Sequence, residues 1–138
     1  MKLLAIGASA ALAVTTMGLR PAVSQAEHKE QNEKMTIPAT ADGILQEIHK
    51  HHGELAETVK SKKLADVHHH AFAIRDLANA LPAKVAADKK ARVEGSAKNI
   101  AKLAEDLDKT GDANDQAGTE ANLKKLDGVL MALMSQAK

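Results

Sequence analysis

The chain has 138 residues, with 19 Lys and Arg against 18 Asp and Glu, and seven His. That near balance supplies no electrostatic pull toward nucleic acid or anionic lipid, and with Phe72 as the one residue of the Phe, Trp and Tyr class there is nothing for bases to stack on. Cysteine is absent, which excludes disulfide staples, thiolate metal sites, c-type haem attachment and thiol chemistry.

In chain order the first element is a targeting segment. Met1 and Lys2, the apolar run "LLAIGASAALAV" and the small-residue stretch "AVSQA" form the three parts of a secretory signal, residues 1–26, with Ser24 and Ala26 at the positions a signal peptidase reads. The apolar run is shorter than the roughly 20 residues that a spanning helix needs, which sets the cleaved signal above an uncleaved anchor. Cleavage after Ala26 removes Lys2 and Arg20, taking the basic residues from 19 to 17 against 18 acidic ones. The expected product is exported and soluble, periplasmic in a Gram-negative source, with no membrane and no nucleic-acid partner. Residues 27–40, "EHKEQNEKMTIPAT", are polar, aperiodic and interrupted by Pro38, which predicts a flexible leader.

Four helices are predicted over residues 41–138: from about Asp42 to Lys62, Leu64 to Leu81, Pro82 to Lys109 and Ala113 to Ala137. Each carries one apolar stripe at helical spacing: Leu45, Ile48, Leu55 and Val59; Val67, Ile74, Ala78 and Leu81; Val93, Ala97, Ile100, Ala104 and Leu107; Leu123, Leu126, Leu130 and Leu133. Pro82 stops the second helix and opens the third, while Gly111 and Asp112 end the third and cap the fourth. The expected fold class is all-α, an antiparallel up-down-up-down four-helix bundle; a three-helix arrangement with a free end, or a dimer of hairpins, are the other ways to bury these stripes.

Six of the seven histidines lie between His49 and His70, in "IHKHHGEL" and "LADVHHHAFAIRD". Successive helical residues are about 100° apart, so His68, His69 and His70 cannot all serve one site. With Ile74 at the centre of the second stripe, His70 lies about 40° from it and His69 nearly opposite. In the first helix the chosen stripe centres on His52, with His49 about 60° round the same side and His51 toward solvent. A hairpin turning near Lys62 and Lys63 puts His52 and His70 within roughly 3 Å in height. His49, His52 and His70 are therefore the expected metal ligands, with Asp66 placed to accept the second ring N–H of His70. An all-imidazole set favours Cu(II), Zn(II) or Ni(II) over Ca(II) and Mg(II). Two bland alternatives stand beside it: buried histidines that bond each other or a carbonyl, and solvated helix faces.

If the mature chain begins Glu27-His28-Lys29, its amine, the amide of His28 and the His28 imidazole can chelate Cu(II); the other reading is a histidine in a mobile tail. Met131 and Met134 are read as core fillers. Phe72 stands about 160° from its own stripe and would be exposed, marking a partner surface if it marks anything. Ser61, Ser96 and Ser135 lack a nucleophile-elbow context and a closed bundle offers little cleft, so no enzyme activity is expected.

In architecture this exported bundle resembles the cytochrome b562 and cytochrome c′ group. The haem ligand of that group is a histidine in the last helix, whereas no histidine follows His70 here and no C-x-x-C-H occurs, so no haem is expected. The stretches "LADVHHHAFAIRDLANALP" and "NIAKLAEDLDKTGDANDQAGTEANLKKLDGVL" are similar to uncharacterised bacterial periplasmic helical proteins associated with heavy-metal efflux. That likeness covers most of residues 45–133; it implies a metal-related role and assigns no site. The expected function is thus a periplasmic protein that buffers or delivers copper or zinc, the other reading being an adaptor or chaperone-like bundle that binds a periplasmic protein partner.

Overall fold

The computed structural model describes residues 35–138, and these form four α-helices and no strand. The signal segment, most of the leader and His28 lie outside the described residues. Residues 35–40 have no regular structure. Thr40 then caps α1 (Ala41–Lys60), its hydroxyl accepting from the Gly43 amide at 3.1 Å, which satisfies one of the orphan donors of the first turn. Lys62 takes a left-handed φ of 58° to end the helix, and a 3-10 turn, Leu64–Asp66, leads into α2 (Val67–Ala80).

Two boundaries differ from the sequence expectation for physical reasons. Pro82 lies in a second 3-10 turn, Leu81–Ala83, and does not open the third helix; Ala86 is extended, and α3 runs over Ala87–Asp112. Gly111 is not the terminator of α3. The left-handed residue at that connection is Asn114 (φ 53°), and Asp115 caps α4 (Gln116–Ala137) by accepting from the Gly118 amide at 3.0 Å. Gly111 serves packing instead: a Cβ there would stand 2.7 Å from the Leu64 carbonyl oxygen, so only glycine lets α3 approach the turn before α2 this closely.

Helices adjacent in sequence pack on one another, and α4 also touches α1 along a thinner seam. The shared core is aliphatic: Ile44, Ile48, Leu55 and Val59 from α1, Val67, Ala71, Ile74 and Leu77 from α2, Val93, Ala97, Ile100, Ala104 and Leu107 from α3, and Leu126, Leu130 and Leu133 from α4. Polar ties fix the helices along their length. Ser96 Oγ donates to Gln136 Oε1 at 2.8 Å, Asn122 Nδ2 to the Asp106 carbonyl at 3.2 Å, and Gln116 Nε2 to the Val59 carbonyl at 3.0 Å. Among the described residues no helix is long and apolar enough to cross a membrane.

Three side chains sit elsewhere than their helical angle suggested. Phe72 is half-buried, packed against the core edge with the Arg75 guanidinium 4.5 Å from its ring centre. Met134 packs partly against the core as expected, whereas Met131 is 73% exposed. The buried position at the start of α1 is Ile44, and Leu45 is only partly buried. This last difference decides which histidines meet.

Candidate metal centre

Replacing Leu45 by Ile44 in the α1 stripe turns its centre by about 25°, which leaves His51 and His52 about 50° to either side of it. Both therefore lean inward, toward different neighbours. His51 leans to α2 and His52 to α4, where His52 Nε2 lies 2.5 Å from Asp127 Oδ1. Of the three expected ligands, only His70 belongs to the cluster that the fold assembles. His49 is exposed on the surface of α1, and His52 is engaged with Asp127. His51, expected from its helical angle to face solvent, has a side chain only 20% exposed.

The cluster is His51, Glu54 and His70. His51 and Glu54 are one helical turn apart on α1, so they share a face, and His70 reaches them from α2. His51 Nδ1 and His70 Nδ1 are 3.5 Å apart, and Glu54 Oε2 is 3.3 Å from each. The three donor atoms thus form a nearly equilateral triangle. The two rings tilt at 43° with centroids 5.8 Å apart, so they are not stacked; they converge edge-on through the same nitrogen.

Two explanations of such a triangle can be weighed by distance. A charge-assisted N–H···O⁻ bond is about 2.7–2.9 Å long, and every edge here exceeds that. Hydrogen bonding also cannot satisfy all three edges together. Bonds from both imidazoles to Glu54 need a proton on each Nδ1, which sets two donors against each other along the third edge. A cation removes that conflict, because all three atoms then present lone pairs to it. Zn(II) binds nitrogen and carboxylate oxygen at about 2.0–2.1 Å, for which the edge of a tetrahedron is about 3.3–3.4 Å. The observed edges match this, and an ion on the triangle's axis about 0.7 Å from its plane would complete three of four tetrahedral bonds.

Electrostatics favour the ligand form of His70. Its pKa is lowered below 6.5, first by burial, with His51 and His69 adding to the drop and the Glu54 and Asp66 carboxylates opposing it. At neutral pH the ring is uncharged, as metal ligation requires. Asp66 therefore acts on His70 through its field. The neighbouring His68 and His69 rings lie 4.0 Å apart by centroid, with His68 facing Phe72 at 6.4 Å, and neither belongs to the triangle.

His51 and Glu54 escape the sequence expectation because Leu45 stands in its α1 stripe where Ile44 belongs; the H-x-x-E spacing on α1 is visible in the sequence. What the arrangement can do is hold a divalent cation through two imidazoles and one carboxylate. A three-donor site of this kind is open to an incoming ligand. Comparison with family models, with curated proteins and with solved structures finds no match for this chain.

Proposed function

We propose that this chain is a periplasmic metal-binding protein that buffers or hands on Zn(II) or Cu(II), using His51, Glu54 and His70 as ligands. The observation that carries the reading is the triangle, whose edges of 3.3, 3.3 and 3.5 Å fit a cation and frustrate hydrogen bonding. The composition of residues 1–26 supports export. The four helices are taken as an antiparallel up-down-up-down bundle, supported by Val59 meeting Gln116 while His52 meets Asp127. In such a bundle the ion would brace the α1–α2 hairpin. Binding, not catalysis, is the role proposed.

Three protein donors and an open fourth position suit reversible loading better than a permanent structural ion, for which four protein ligands are usual. Co(II) is the probe of choice, since a tetrahedral nitrogen and oxygen environment gives it strong visible d–d bands. Wild-type protein should develop these bands and lose them when Zn(II) is added. His51→Ala and His70→Ala should not develop them, whereas His49→Ala should behave as wild type. Equal bands in all four proteins would refute the assignment.

A further inference from the structure

The α1–α4 seam carries a second group of donor side chains that the His51 triangle does not use. Met131 is 73% exposed, the most exposed large apolar residue among those described, which places a long thioether in water. Its place along the seam follows from two ties. Val59 is joined to Gln116, and His52 to Asp127, so positions fall along α1 as they rise along α4. Three residues before His52 comes His49, displaced by about 4.5 Å along the axis. The same displacement beyond Asp127 reaches Leu130 and Met131. His49 and Met131 therefore stand at about the same height on adjoining helices. His49 and His52 are three residues apart, and Asp127 and Met131 four apart, which keeps each pair on one face of its own helix.

We propose that His49, His52 and Met131 form a second, softer metal site that takes a Cu(I)-class ion. Asp127 is its positioning residue. A carboxylate oxygen 2.5 Å from His52 Nε2 holds the proton on that nitrogen and leaves Nδ1 as the lone-pair donor, which is the way outer carboxylates orient ligating histidines. The donor set separates the two sites by chemistry. Two imidazoles with a carboxylate suit Zn(II) and Cu(II), whereas thioether sulfur with imidazole selects Cu(I) over Zn(II). His49 and Met131 both lie at the surface, so an ion held there is within reach of a partner's ligands. No change of oxidation state occurs on binding; the ion arrives as Cu(I).

Ag(I), a redox-inert ion of the same softness, tests this site on the full chain independently of the Zn(II) site. With methionine methyl groups labelled by ¹³C, one equivalent of Ag(I) should shift the Met131 resonance. Competition titration should show Met131→Leu and His49→Ala each weakening Ag(I) binding at least tenfold, with Zn(II) affinity within twofold of wild type. Met131 is exposed, so Met131→Leu should keep the wild-type melting curve. A stationary Met131 resonance, or wild-type Ag(I) affinity in Met131→Leu, would overturn the proposal whatever Zn(II) does at His51, Glu54 and His70.

Discussion

Glu54→Gln is the most informative single change at the His51 triangle, because it keeps the shape and removes the charge. Glu54 is 43% exposed and its ion pairs need protonated imidazoles, so in metal-free protein at neutral pH the change should cost below about 1 kcal/mol. The metal-loaded protein is different. With free Zn(II) at 100 times its dissociation constant, binding stabilises the fold by about 2.7 kcal/mol, which for a domain of this size raises the melting temperature by roughly 10 °C. Loss of even an outer partner of a metal ligand weakens affinity by about 10–100-fold, and an inner carboxylate should reach the top of that range. At the same Zn(II) concentration a hundredfold weaker site gives only about 0.4 kcal/mol, a shift of roughly 2 °C. Scanning calorimetry of both proteins with and without Zn(II) reads the difference directly. A Glu54→Gln protein with the full wild-type shift would show that Zn(II) does not use the carboxylate, and the triangle would then not be the Zn(II) site.

Because burial lowers the His70 pKa, the unfolded chain binds the proton more tightly. Metal-free stability should be full above pH 6.5, fall as the pH drops below it, and level off once the folded ring is also protonated; urea midpoints measured from about pH 8 to pH 5 should show this, with a flatter profile in His70→Gln. Gly128 on α4 has open space where a Cβ would stand, with nothing within 4 Å, so Gly128→Ala should stabilise by about 0.5–1 kcal/mol. Gly111→Ala should destabilise by more than that, since its Cβ would meet the Leu64 carbonyl at 2.7 Å; chemical denaturation compares the two. Asp127→Ala should cost about 0.5–1 kcal/mol by the same measurement, as its pair with His52 is partly open to solvent.

Helix number and core are legible in the sequence because aliphatic periodicity survives errors of a residue or two at the ends. Val93, Ala97, Ile100, Ala104 and Leu107 follow from spacing alone, and all are buried. Helix ends are less legible, since glycine and proline each have more than one use. Gly111 looks like a terminator in the sequence, yet it is required by the approach of α3 to Leu64; nothing local distinguishes the two roles. Pro82 suits the first turn of a 3-10 segment as well as that of an α-helix, and the extended Ala86 that separates them has no signature of its own.

The candidate metal centre is harder to read from sequence than the core, because its membership depends on angle and not on spacing. Ile44 and Leu45 are adjacent and both aliphatic, and either extends the α1 stripe at acceptable spacing. Choosing one or the other moves the stripe centre by only about 25°. A leucine tolerates that much rotation with little loss of packing, since its contacts are non-directional. An imidazole does not, because its lone pair must point at the ion, and the same small rotation exchanges His52 for His51 as the residue that meets His70. One partner is distant in sequence and one is local: Asp127 on α4 lies beside His52, while Glu54, one turn beyond His51 on the same helix, lies beside His51 and His70. The adjacent pair His51-His52 is thereby divided between two neighbouring helices. One imidazole joins Glu54 and His70 on the side facing α2 and the other meets Asp127 on α4, an outcome that six clustered histidines announce in number and leave open in direction.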